Sequence, residues 1–558
     1  MLDLSKSPPS PSYHLPSPAT FRRPSPNRPT LTLFRYSAFL LTKRYCRLLF
    51  LTLFALTFLF FLLKLSPPPS FEPLQLIRIP AGQDLVLLPP PYPSPPTDEQ
   101  RKGLPPLFEA WKEYERALPQ HAADNGTTRF IYMKNHVVAS GWGNVLQEMI
   151  LNTHLAFLSG RSFVFDNYTW DRSTSEYSSF NGKTIPSRVP VSTMLAGPII
   201  GGSFDLTNLN DPFFTVDPSS TSHPRAVSSE YYERVCDGQK KIVDTAIVRN
   251  AVESWDGKAN LEAWVKYLQN LPDRCVEFDI NAQHIFHIWM FGSPKVLTLW
   301  PSLSESPILR QFTHSPLILA AFERHRHLFG VVDTKPAKPK GQLHFVPSLG
   351  TPNINDTIPG LLVLHVRRGD FAEHCVHLVK YSSAFNGFNS FEDMRDQDGF
   401  DPAAAAAKYE TAKANYLERC FPNVSQIVKR VRQVRERVAR APSNLDSHSH
   451  RTSSSLSAPL THLYIMTNGK PPFLAELRAA LELDAITHNP FDLPPWESIY
   501  TSRDLELGWE EGYVAQALDM YVAQRAEVFI GNGFSSLTSN IVMLRKANGV
   551  DTIKTRLW

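Results

Sequence analysis

The sequence predicts an α/β fold built on parallel sheet. Three observations carry that expectation. Short, largely apolar runs recur along the chain, at Arg129–Met133, Gly360–Val366, Leu460–Met466 and Glu527–Ile530. Three of them lead into glycine-containing turns: Ser140-Gly141-Trp142-Gly143-Asn144, Thr467-Asn468-Gly469 and Gly531-Asn532-Gly533. Stretches with apolar residues at helical spacing lie between them: Val145–Leu158, Ala403–Cys420, Val424–Val438, Phe473–Glu482 and Tyr513–Arg525. Strands buried on both faces read as continuous apolar runs, and strands alternating with helices imply parallel pairing. Residues 129–166 form one such unit, in which Gly160 ends the helix and Ser162–Phe165 begins the next strand.

The folded part is preceded by chain of a different kind. The sequence has 558 residues and 47 prolines, and the prolines crowd into Pro8–Pro29 and Pro67–Pro96. Between these stretches Leu48–Leu63 is apolar without interruption, and Leu65 extends it past Lys64. Sixteen residues make about 24 Å of helix, close to a hydrocarbon core when Arg47 and Lys64 snorkel. Arg35, Lys43, Arg44 and Arg47 precede the run, so positive-inside logic puts the N-terminus in the cytoplasm. The expected order is a cytoplasmic tail (1–47), a transmembrane signal anchor (48–65) and a Pro-rich stalk (66–100). A luminal head follows, in the Golgi or the endoplasmic reticulum.

The cysteines agree with an oxidising compartment. Of five, Cys236, Cys275, Cys375 and Cys420 lie in the head, with no zinc-type spacing. Chain order invites Cys236–Cys275 and Cys375–Cys420, but four cysteines allow three pairings. Asn125, Asn167, Asn355 and Asn423 open N-glycosylation triplets. Residues 441–458, rich in serine, read as a disordered insertion. A net charge of +4 is too small a basic excess for a nucleic-acid binder.

Three segments carry chemistry. Glycines at 141 and 143, opening a helix, let backbone approach a phosphate. In His365-Val366-Arg367-Arg368-Gly369-Asp370 two arginines end a buried strand, where open α/β sheets bind ligands, and guanidinium forks grip phosphate. A salt-bridge cluster with Asp370 is the plain alternative. In Phe529–Thr538 an apolar strand runs through glycines into Ser535 and Ser536. These hydroxyls suit a grip on a diphosphate or capping of the helix, and the two are not exclusive.

In this order, the segments resemble the GDP-fucose-dependent fucosyltransferases, a superfamily that includes protein O-fucosyltransferases and α1,6-fucosyltransferases. The resemblance implies a GT-B-like fold of two Rossmann-like domains, placed at 101–345 (acceptor side) and 346–558 (GDP-sugar side). It implies inverting transfer of fucose from GDP-fucose to a protein or glycan hydroxyl, with no cofactor and no metal. By position Arg367 is the essential arginine at the donor diphosphate. His365, Arg368, Gly141, Gly143, Asn144, Thr467, Ser535, Ser536 and Leu537 are the donor-binding set. No base is assigned: Ser140 and Gly141 stand where some members carry glutamate, and Glu148 lies one helical turn beyond Asn144. A binder without turnover, or a transferase of another nucleotide sugar, are the alternatives.

Overall fold

The computed structural model describes residues 108–173, 177–180, 183–202, 223–250, 256–331, 357–402, 409–440, 459–489 and 491–558. All belong to the unit that runs from residue 79 to the end of the chain. The tail, span and stalk, the Asn355 triplet, the 441–458 insertion and residues 403–408 lie outside the described residues. Among the described residues no helix is long and apolar enough to cross a membrane.

Two five-stranded sheets organise the chain. The first contains β1 (Phe130–Tyr132), β2 (Ser162–Phe165), β3 (Val227–Ser228), β4 (Lys240–Val243) and β5 (Cys275–Phe278). Its order is β3-β2-β1-β5-β4, and every pairing is parallel. The second contains β6 (Ile358–Val366), β7 (His462–Thr467), β8 (Ser498–Thr501), β9 (Ala526–Gly531) and β10 (Thr555–Leu557). Its order is β8-β7-β6-β9-β10, again all parallel. In each sheet the order reverses beside the first strand, between β1 and β5 and between β6 and β9. Crevices at the carboxyl ends of such reversals are where open α/β sheets hold ligands.

The helices that matter below are α1 (Trp142–Leu158), α2 (Gly257–Asn270), α3 (Ile288–Phe291) and α4 (Pro316–Arg324). They continue with α5 (Phe371–Lys380), α6 (Tyr409–Cys420), α7 (Val424–Arg440), α8 (Pro471–Thr487), α9 (Glu511–Arg525) and α10 (Ser536–Ala547). Helix α1 begins at Trp142 rather than Val145, so Gly143 and Asn144 belong to its first turn. The run in β6 is buried at every residue but Pro359. At Gly360 the backbone takes φ +73°, the β6–β9 register shifts, and the free N–H donates to the buried Glu527 carboxylate at 2.6 Å. A left-handed φ inside a strand falls to glycine at least cost.

The largest apolar core spans both halves, joining Leu146 and Ile150 of α1 to Leu518 of α9 and Ile541 of α10. Two disulfides form, Cys236–Cys275 and Cys375–Cys420, the pairs that chain order invites. Cys375–Cys420 joins α5 to the end of α6 across 45 residues. Loop closure over that distance amounts to roughly 3–4 kcal/mol of unfolded-chain entropy. Replacing Cys375 and Cys420 by alanine is therefore expected to lower unfolding free energy by about that much in a urea titration, with a steeper denaturant slope because the uncrosslinked chain exposes more surface. A loss under 1 kcal/mol would contradict it.

Candidate functional site

Arg367 leaves the carboxyl end of β6 at the second reversal point. Its guanidinium stands over Phe371 at 4.8 Å and 3.9 Å from Asp370, with about a third of the side chain exposed. Nε is buried and finds no hydrogen-bond partner. Burial lowers its pKa and Asp370 opposes that, yet an arginine so placed stays charged. A charged fork with one buried, unanswered donor is built to receive an anion.

His365, two residues back on the same strand face, is 4% exposed. Its Nδ1 lies 2.8 Å from Thr538 Oγ1, and its carbonyl accepts from Trp558 Nε1 at 2.9 Å. Burial, aided by Arg367, pushes the imidazole down to about 3, so it is neutral at ordinary pH. Thr538 Oγ1 also accepts the Asn532 N–H at 3.1 Å. The β9–α10 turn is thereby tied to His365.

Helix α10 points its N-terminus into the same crevice. Ser535 is its extended N-cap residue, and its hydroxyl makes no capping bond. Ser535 therefore does not cap the helix, and the first-turn N–H groups, Ser536 and Leu537 among them, get nothing from its side chain. Those groups and the helix dipole favour negative charge.

The first glycine turn meets this helix directly. A Cβ on Gly143 would stand 2.5 Å from Leu537 N and 2.7 Å from Ser536 Oγ, whereas one on Gly141 would meet nothing within 4 Å. Asn540 Nδ2 donates to the Gly143 carbonyl at 2.8 Å. Asn144 sits beside this contact, half-buried, donating to Ser140 Oγ at 2.9 Å. Arg367, His365, Ser535, Ser536, Leu537, Gly143 and Asn144 are thus drawn around the two helix N-termini, with Gly141 capping α1.

Two residues of the expected donor set are otherwise engaged. Arg368 is buried between the rings of Phe473 (4.1 Å) and Phe421 (4.5 Å) and donates to the carbonyls of Pro422 and Arg367. It is placed to hold the loop, not a ligand. Thr467 donates from Oγ1 to the Val366 carbonyl and accepts the Gly469 N–H, bracing the turn after β7. Asn468 fixes both sides of the Arg368 peptide, at 2.7 and 3.0 Å. Of the glycosylation triplets, Asn125 and Asn423 are exposed, while Asn167 is half-buried with Thr169 paired into a short ladder.

The site is a crevice lined by a guanidinium and helix N-terminal N–H groups at the reversal point of an α/β sheet, faced by a second α/β sheet. No family model and no curated protein matches the sequence. Among solved structures the chain is similar to POFUT1 in complex with GDP, at 12% identity and TM-score 0.40, covering 77% of this chain and 98% of that one. It is also similar to POFUT1 in complex with GDP-fucose, at 12% identity and TM-score 0.36, covering 78% and 98%.

Side chains at residue 143 have no room. A Gly143→Ala change must push α1 and α10 apart by nearly an ångström, a displacement that typically costs on the order of 100-fold in rate. Gly141→Ala is expected to be nearly silent. Thermal melting and GDP release from GDP-fucose, measured on both variants, check this. Equal effects at the two positions would refute it.

Proposed function

We propose that the chain is an inverting glycosyltransferase that moves fucose from GDP-fucose to a hydroxyl of a protein or glycan. The observation that carries the reading is Arg367, charged, half-exposed and with a buried Nε left unanswered, beside an uncapped α10 N-terminus. Together they offer a guanidinium fork and a row of N–H groups to one diphosphate. The resemblance of the three motifs to the GDP-fucose-dependent superfamily supplies the donor.

In this mechanism the acceptor oxygen bonds to the anomeric carbon as the bond from that carbon to the β-phosphate oxygen breaks. The electron pair departs with GDP, and negative charge grows on the β-phosphate. Arg367 and the α10 N–H groups stabilise that charge more in the transition state than in the ground state, which is what accelerates the step. His365, neutral and tied to Thr538, acts as a polar support for the nucleotide and not as a proton carrier. Because these groups supply the positive charge, no metal is needed. We further take residues 48–65 as a signal anchor that places the head in the Golgi or endoplasmic reticulum lumen. Two disulfides suit that oxidising compartment.

The protein in detergent, incubated with a panel of nucleotide sugars, is expected to release nucleotide fastest from GDP-fucose. Arg367→Ala should lower that release 10²- to 10³-fold, about 3–4 kcal/mol, without lowering the melting temperature. Retention of a tenth of the rate would sink the assignment. Binding of GDP with no release from any sugar would make the chain a binder without turnover.

EDTA is expected to leave the rate unchanged. Strong inhibition reversed by Mn²⁺ would place the enzyme in a metal-dependent class.

A further inference from the structure

The first sheet has a reversal point of its own, between β1 and β5, of which the donor site uses only the glycine turn before α1. The segments leaving those strands carry His136 after β1 and His284 and His287 after β5. Glu148 reaches them from α1. Its carboxylate is buried, only 2% exposed. One oxygen accepts the Val137 N–H at 2.7 Å and the other lies 3.0 Å from His284 Nδ1. A carboxylate can only accept, so the hydrogen is assigned to Nδ1 and the lone pair to Nε2. About a quarter of the His284 side chain is exposed, and Nε2 has no protein partner among the described residues. A buried carboxylate fixing the tautomer of a half-open imidazole is the arrangement that prepares a general base.

This pair lies on the helix whose first turn enters the donor crevice. Glu148 stands one turn beyond Asn144 on the same face of α1, and about 7.5 Å along the helix axis from Gly143, which touches Ser536 and Leu537. The loop that carries His284 runs on into α3. There the Phe291 carbonyl accepts from Gln147 at 3.1 Å and packs against Gly387 of the second half.

We infer that His284, oriented by Glu148, takes the proton from the attacking hydroxyl in the transfer proposed above. The acceptor O–H proton passes to Nε2 as its oxygen bonds to the anomeric carbon and GDP leaves with the bonding pair. The imidazolium is held by Glu148 until the proton is lost to solvent. This rests on the transferase reading but fails separately from it. The charged and titratable groups around the ring are Glu148 on α1, His287 at 6.0 Å, His136 with its Asp166 partner beyond Glu148, and Arg249 through Gln283.

Water is the acceptor in the test, and GDP release from GDP-fucose the readout. His284→Gln is expected to cut release about 100-fold, while calorimetric GDP affinity changes less than twofold. Glu148→Gln is expected to cut release at least tenfold with GDP affinity again unchanged, because the ring loses the carboxylate that orients it. A His284→Gln protein that keeps a third of the rate, or a Glu148→Gln protein that keeps all of it, overturns the inference while GDP binding leaves the donor site standing. If His284→Gln fails to fold, Glu148→Gln decides.

Discussion

Everything at the site depends on a contact in which one residue has no side chain. Gly143 lets the first turn of α1 lie against the peptide joining Ser536 to Leu537, closer than any Cβ would allow. Two sheets that fold around their own first strands are thereby set with their carboxyl ends toward one another. The contact is locked from the other side, because Asn540 donates to the Gly143 carbonyl and an unpaired carbonyl buried there would be costly. Shared apolar core then makes the two halves one body. The crevice is thus a consequence of backbone touching backbone, a tighter constraint than side-chain packing, which can adjust by rotamer.

The second constraint is the short segment from Cys420 to Pro422. Asn532 Nδ2 donates to the Cys420 carbonyl at 2.6 Å, which holds the turn after β9. Arg368 donates to the Pro422 carbonyl and stacks on Phe421, which holds the turn after β6. The Cys375–Cys420 disulfide ties that segment to α5, the helix that follows Arg367. Both lips of the crevice therefore hang on one anchored point. Two adjacent arginines divide the work. Arg368 gives up its charge to aromatic faces and carbonyls, so that Arg367 can keep its fork for a ligand.

The parts of this plan that were legible in the sequence are those written in periodicity. The apolar runs became β6, β7 and β9 within a residue or two, since a strand buried on both faces has little choice of composition. Strands such as β4 (Lys240–Val243) and β10 (Thr555–Leu557) were not, because an edge strand of three or four residues with lysines or a threonine has no apolar signature. At the site, the motifs identified the neighbourhood but not the division of labour. Nothing local distinguishes Arg367 from Arg368, or Gly143 from Gly141. What separates them is Phe421, Phe473 and Ser536, which lie 53, 105 and 393 residues away by subtraction of their numbers. His284 carries no sequence signal at all, for its meaning comes from Glu148 on another element.

In the transfer proposed above, the placement of the proton acceptor would follow from the charge of Arg367. A base next to Arg367 would lose its basicity, and His365 displays this: burial and the neighbouring guanidinium push it to about 3, where it accepts nothing near neutral pH. At an effective dielectric of about 20, a charge 4 Å from a guanidinium is opposed or favoured by about 4 kcal/mol, and at 10 Å by less than half of that. An imidazole asked to become positive must therefore stand away from the arginine proposed to stabilise the leaving phosphate, and beside a negative charge of its own. Glu148 provides that charge from inside the other half of the molecule. In the transfer proposed above, one cation would serve the leaving group at the second reversal point while another forms at the nucleophile beside the first.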